Sequence, residues 1–85
     1  MAKYRILIKK SILKDLDAVP KKDVQRIIAA IRALADDPRP PQAKRLSGRE
    51  QYRLRQGDYR ILYTIQDDVL VVTVVEVGNR KEIYR

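Results

Sequence analysis

Neither cysteine nor histidine occurs in this chain of 85 residues. The first absence excludes disulfides, thiolate catalysis and cysteine-ligated zinc. The second removes the commonest general base near neutral pH and the commonest metal ligand, so any chemistry must run on Lys, Arg, Tyr, Asp or Glu. No metal or other cofactor is expected. No apolar run approaches the roughly 20 residues that a helix needs to cross a bilayer. The opening MAKYRILIKK lacks the apolar stretch and small-residue cleavage site of a secretory signal, so the expected location is the cytoplasm, with no membrane partner. Internal repeats and low-complexity tracts are missing too.

What remains is a short chain rich in charge. Its length allows a single hydrophobic core, so one domain over residues 1–85 is expected. Nineteen Lys and Arg against eleven Asp and Glu leave a formal charge of +8. On so small a body that charge makes a strong attractive field for anions, and nucleic acid or an acidic protein is the expected partner.

Residues Lys3 to Lys9 alternate in part, with Tyr4, Ile6 and Ile8 on one side and Leu7 on the other, and read as a strand. Ser11 is placed to cap a short helix carrying Ile12, Leu13 and Leu16. Pro20 suits the first turn of a second helix, where its missing N–H is not needed. Val24, Ile27, Ile28, Ile31, Leu34 and Ala35 then recur with the spacing of one buried helical stripe. The run DDPRPP, Asp36 to Pro41, forces a loop because proline clashes with a helix and lacks a donor.

Three segments with strand chemistry follow: Gln51 to Gln56, Tyr59 to Gln66 and Val69 to Val77. Gly57-Asp58 and Asp67-Asp68 join them as two-residue hairpin connections. Lys44 to Leu46 either adds a strand or leads into the first of the three. The predicted architecture is therefore α+β with two layers: two N-terminal helices packed on a mainly antiparallel sheet, in the order β-α-α-β-β-β.

A two-residue loop at Gly57-Asp58 pairs Gln56 with Tyr59, Arg55 with Arg60, Leu54 with Ile61 and Arg53 with Leu62. Tyr52, Leu54, Ile61, Tyr63 and Ile65 then share the face toward the helices, while Arg53, Arg55 and Arg60 share the other. The same logic at Asp67-Asp68 predicts Val75 beside Arg60, with Val77 leading off toward Gly78, where the chain is expected to leave the strand. That ending brings Asn79, Arg80 and Lys81 near the arginines. Two arginines directly opposite one another repel, a cost of a few tenths to about 1 kcal/mol that an anion would relieve. With Leu62, Val71 and Val75 among them the face is half apolar, which fits a ligand surface or protein interface better than plain solvent. Glu76 and Glu82 flank the cluster without supporting ligands and read as surface partners of Arg or Lys, of little net energy.

The segments DDPRPPQAKRLSG, YRLRQGDYRILYTI and VVEVGNRKEIYR together resemble the RelE branch of the RelE/ParE toxin superfamily, along essentially the whole chain. The resemblance implies a toxin of a type II toxin–antitoxin pair that cleaves messenger RNA in the ribosomal A site without a metal, the message supplying the nucleophile. It implies catalytic roles for Arg55, Arg60, Arg80 and Tyr84. Arg60 and Arg80 would hold the phosphate, Arg80 would protonate the leaving oxygen, and Tyr84 would position the nucleotide. Lys44, Arg45, Arg53 and Lys81 would contact RNA. The partners implied are a RelB-like antitoxin and the ribosome with its message, the free toxin being a monomer and the larger assembly a toxin–antitoxin hetero-oligomer.

One departure stands out. The best-known members carry lysines where this chain has Arg53 and Arg55, and arginine does not give up its proton to act as a base. Removal of the 2′-proton is left to the ribosome, water or Tyr84, or to charge stabilisation with little general-base help. Two other readings compete: a ParE-like inhibitor of DNA gyrase without nuclease activity, which shares Arg60 but not the Arg80 and Tyr84 ending, and a relative that only binds RNA.

Overall fold

The computed structural model describes residues 3–46, 48 and 50–79. The elements are β1 (Arg5–Ile8), α1 (Lys10–Asp17), α2 (Lys21–Ala33), β2 (Lys44–Arg45), β3 (Gln51–Gln56), β4 (Tyr59–Gln66) and β5 (Val71–Asn79). They form one five-stranded sheet in the order β1-β5-β4-β3-β2. Among these strands only the β1–β5 pair is parallel; the rest is an antiparallel meander. The predicted α+β architecture holds, with Lys44 and Arg45 adding a short edge strand.

The helices cover one face of this sheet. Ile12 and Leu16 from α1 and Ile27, Ile31 and Leu34 from α2 and its C-cap are buried against Leu54, Ile61, Tyr63, Val72, Val74 and Val77. Ile27 is fully buried, and burying such a side chain contributes about 1.5–3 kcal/mol. The helix starts differ from expectation. α1 begins at Lys10 with Lys9 as N-cap and no side-chain capping bond, because helical geometry has already begun before Ser11. Pro20 is the N-cap of α2, its carbonyl accepting the N–H groups of Asp23 and Val24. Past the C-cap, the Ala35 carbonyl accepts from Tyr4 N–H at 2.8 Å, tying the end of the helical layer to the strand edge.

The β3–β4 hairpin is as predicted. Gly57 leads its two-residue turn with φ +60°, the conformation a type II′ turn demands at that position. The β4–β5 connection is not. It spans four residues, Asp67 to Leu70, with Gln66 paired to Val71 and Leu70 held at φ 54°. Farther along, Tyr63 pairs with Val74 but Leu62 with Glu76, leaving Val75 as the extra residue of a β-bulge. Arg60 therefore faces Gly78 rather than Val75, and β5 continues through Gly78 to Asn79 instead of turning away after Val77. Val77 lies in the core, because the extra residue reverses which side chains point to the helices.

Candidate functional site

On the sheet face opposite the helices, the register arranges side chains in rows. Arg55 of β3 stands opposite Arg60 of β4, which stands opposite Gly78 of β5. The next row runs Lys44, Arg53, Leu62, Glu76 across four strands. Farther from the hairpin tip the face is neutral through Gln51, Thr64, Thr73 and Leu7, with Arg5 alone at its far end in the row of Gln66 and Val71. Four basic side chains thus converge at one end of an otherwise mild surface. They get there because Gly57-Asp58 sets the pairing of β3 with β4 and the period of two does the sorting.

Arg60 is the centre of this group. Its side chain is 20% exposed, and its Nε is buried with no hydrogen-bond partner. Its Nη2 lies 4.0 Å from Glu76 Oε2, at the outer limit of an ion pair and too far for a hydrogen bond. A guanidinium with unused donors beside a second arginine is suited to an anion that accepts several bonds at once, as a phosphate does. Leu62, 8% exposed, is the apolar floor between Arg53 and Glu76.

The expected site residues divide. Lys44, Arg53, Arg55 and Arg60 share this face. Arg45 pairs with Tyr52 and so belongs to the helix face, where it lines a depression of about 210 Å³ with Arg39, Glu50, Tyr52, Ile65 and Asp67. Arg80, Lys81, Glu82 and Tyr84 lie outside the described residues. Glu76, expected to be a surface partner of a basic residue, is one, and the bulge puts it on the arginine face. The bulge leaves no local signal in a uniformly β-prone stretch. Among the described residues, no group of three or more carboxylates is placed to hold a metal ion.

A cleft of about 470 Å³ lies elsewhere, between the end of α1 (Lys14 to Val19) and Tyr59, Val77, Gly78 and Asn79. Its lining offers Lys14 and Asp15 and no concentration of one charge. Charge, not volume, therefore marks the candidate site.

The proline loop is anchored at the other end of the sheet. Arg39 donates through Nη1 and Nη2 to the two oxygens of Asp67, at 3.1 and 2.8 Å, and through Nε to Tyr52 Oη at 3.1 Å. Tyr4 Oη donates to Asp67 Oδ1 at 2.6 Å. The bonds from Arg39 and then Tyr4 hold the Asp67 carboxyl at about 2, below its ordinary 3.8, while the bond to Asp67 raises Tyr4. Tyr63, stacked on Tyr52 at 5.7 Å, donates its buried hydroxyl to the Pro38 carbonyl at 2.8 Å, and burial pushes its phenol up to about 12. This network fixes the loop across β1, β3, β4 and the β4–β5 turn, which steadies the strands that carry the arginines.

Comparison with known proteins agrees with this architecture. A family model described as ParE toxin of type II toxin–antitoxin system, parDE, matches residues 6–84. A RelE1 protein of Methanocaldococcus jannaschii is 29% identical, covering 98% of this chain and 97% of its own. The RelE–RelB complex from the archaeon Pyrococcus horikoshii superposes with a TM-score of 0.83 at 29% identity, over 94% of this chain and 97% of that one. A mutant Escherichia coli RelE in the free state gives 0.75 at 26% identity, over 99% and 92%. With the helices, mixed sheet and meander in the same order along nearly its whole length, this chain belongs to the RelE/ParE superfamily of type II toxin–antitoxin toxins.

Proposed function

We propose that this protein is a ribosome-dependent, metal-independent endoribonuclease that cuts messenger RNA in the A site and so stops translation. The observation that carries the reading is the pairing of Arg55 with Arg60, flanked by Lys44 and Arg53, with the Arg60 Nε buried and unpartnered. Attack of a ribose 2′-hydroxyl on the adjacent phosphate needs in-line placement and stabilisation of a pentavalent centre bearing extra negative charge. Arg60 and Arg55 supply fixed positive charge and forked donors for the non-bridging oxygens. By resemblance, Arg80 joins them at the phosphate and protonates the leaving oxygen, and Tyr84 positions the nucleotide. By resemblance Lys44, Arg45, Arg53 and Lys81 hold the RNA backbone, Lys44 and Arg53 from the arginine face and Arg45 from the other side of the edge strand β2. The ribosome supplies the conformation of the message that a small open face does not impose alone.

The neutralising partner in this reading is a RelB-like antitoxin whose acidic, amphipathic segment covers the basic face, as the RelE–RelB complexes of similar chains suggest. The free toxin is a monomer and the assembly a hetero-oligomer in the cytoplasm. The test is an in vitro translation reaction with mapped message ends, run with and without ribosomes, beside a gyrase supercoiling assay. Cuts that appear only with ribosomes support the nuclease. Intact message with inhibited supercoiling supports the second reading, a ParE-like gyrase inhibitor, which the ParE description of the matching family model favours.

A further inference from the structure

We infer that Glu76 is the general base of this site, taking the proton from the attacking 2′-hydroxyl; the inference rests on the nuclease reading above. The chain has no histidine, and its arginines do not release protons. A carboxylate is the remaining strong candidate. Among the described strand residues of the arginine face, Glu76 is the only one. Asp58, at the nearby hairpin tip, lines a depression with Asp23 and Arg26 on the helix side instead.

The placement fits one RNA linkage. Glu76 Oε2 lies 4.0 Å from Arg60 Nη2, so a phosphate bound to Arg60 has its neighbouring ribose within reach of the carboxylate. Glu76 is also 55% exposed along its side chain, which leaves it accessible to substrate. Gly78, opposite Arg60 and two residues beyond Glu76, puts no side chain into the space between them. Lys44, the other residue here able to lose a proton, is three strands from Glu76 and two from Arg60, roughly 10 Å from the latter at ordinary strand spacing. The charged groups facing Glu76 are Arg60 from β4 and, across Leu62, Arg53 from β3; β1 ends at Ile8 opposite Val74 and brings none alongside.

In the step, the 2′-oxygen forms its bond to phosphorus as its proton passes to the Glu76 carboxylate. The bond from phosphorus to the 5′-oxygen breaks with its electron pair on that oxygen, which takes its proton from water. The products are a 2′,3′-cyclic phosphate and a 5′-hydroxyl. Glu76 returns its proton to solvent, restoring the balance.

The experiment measures single-turnover cleavage of message on programmed ribosomes by the wild-type protein and by Glu76→Gln, across pH and across protein concentration. Glu76→Gln keeps the size and polarity beside Arg60 but not the basicity. The expected result is a saturated rate lower by roughly 10²–10⁴-fold, an unchanged half-saturation concentration, and loss of the acid limb seen in the wild-type pH profile. A Glu76→Gln protein cutting at the wild-type saturated rate, or one weakened only in half-saturation, overturns the base while leaving the nuclease intact. A wild-type protein that cuts nothing overturns both.

Discussion

Leu62 of β4 pairs with Glu76 of β5, although its neighbour Tyr63 pairs with Val74. The single unmatched residue, Val75, puts Glu76 on the arginine face and Val77 in the core. Deleting Val75 should remove the bulge and leave an unbroken ladder in which Glu76 still stands opposite Leu62 and Val77 still lies in the core. Circular dichroism should therefore show the deletion variant folded, as it should Val75→Ala; a deletion variant that is unfolded at ordinary temperature would deny that Val75 is the surplus residue.

Arg60 should dominate activity without dominating stability. Among the described residues, Arg60→Ala removes the only guanidinium whose buried Nε lacks a partner, and loss of one charge-stabilising donor group commonly costs roughly 10²–10³-fold in rate, about 2.7–4 kcal/mol of barrier. Arg60→Lys keeps the charge but not the fork, so it should recover only part of the loss. Cleavage of ribosome-bound message at the wild-type rate by Arg60→Ala would remove the residue from the mechanism.

The anchor of the proline loop should be acid-sensitive. Asp67 is held at about 2 by Arg39 and Tyr4, below its ordinary 3.8. A depressed carboxyl contributes its stability fully above the unfolded value and loses it as pH falls from 3.8 toward 2. Asp67→Asn should therefore lower the denaturation midpoint at neutral pH and show a shallower fall in stability across that acid window. Equal slopes for the two proteins would deny the carboxylate this role.

Gly57 holds φ +60° at the hairpin turn, and a Cβ there would meet nothing within 4 Å. The cost of Gly57→Ala is then conformational alone, about 1–2 kcal/mol. Urea unfolding should show a lower midpoint with an unchanged slope. The pairing of Arg55 with Arg60 depends on this turn, so activity per folded molecule is the companion measurement.

Much of this arrangement follows from local chemistry. The stripe through Ile27, Ile31 and Leu34 specifies a helix with one buried side, DDPRPP ends the helical layer, and Gly57-Asp58 sets a hairpin whose period of two puts Arg53, Arg55 and Arg60 together. Those features are legible because each depends on residues a few positions apart. The Arg39 anchor is not legible in this way: its partners Asp67 and Tyr52, with Tyr4 beyond them, are distant in sequence, and only the folded sheet brings them to one loop.

The β4–β5 register belongs to the tertiary level for the same reason. Asp67-Asp68 has the local look of a two-residue turn, yet the connection uses four residues, with Leu70 at φ 54° and a bulge farther along. Val, Thr and Ile in β5 and its neighbours satisfy a strand in several registers, so local preference does not choose among them. Burial of Val72, Val74 and Val77 under the helices decides it, because only a chain with one extra residue points all three inward. Short-range pattern was enough to set the helical layer and the arginine pair; core packing across distant elements decided that Glu76 would stand beside them.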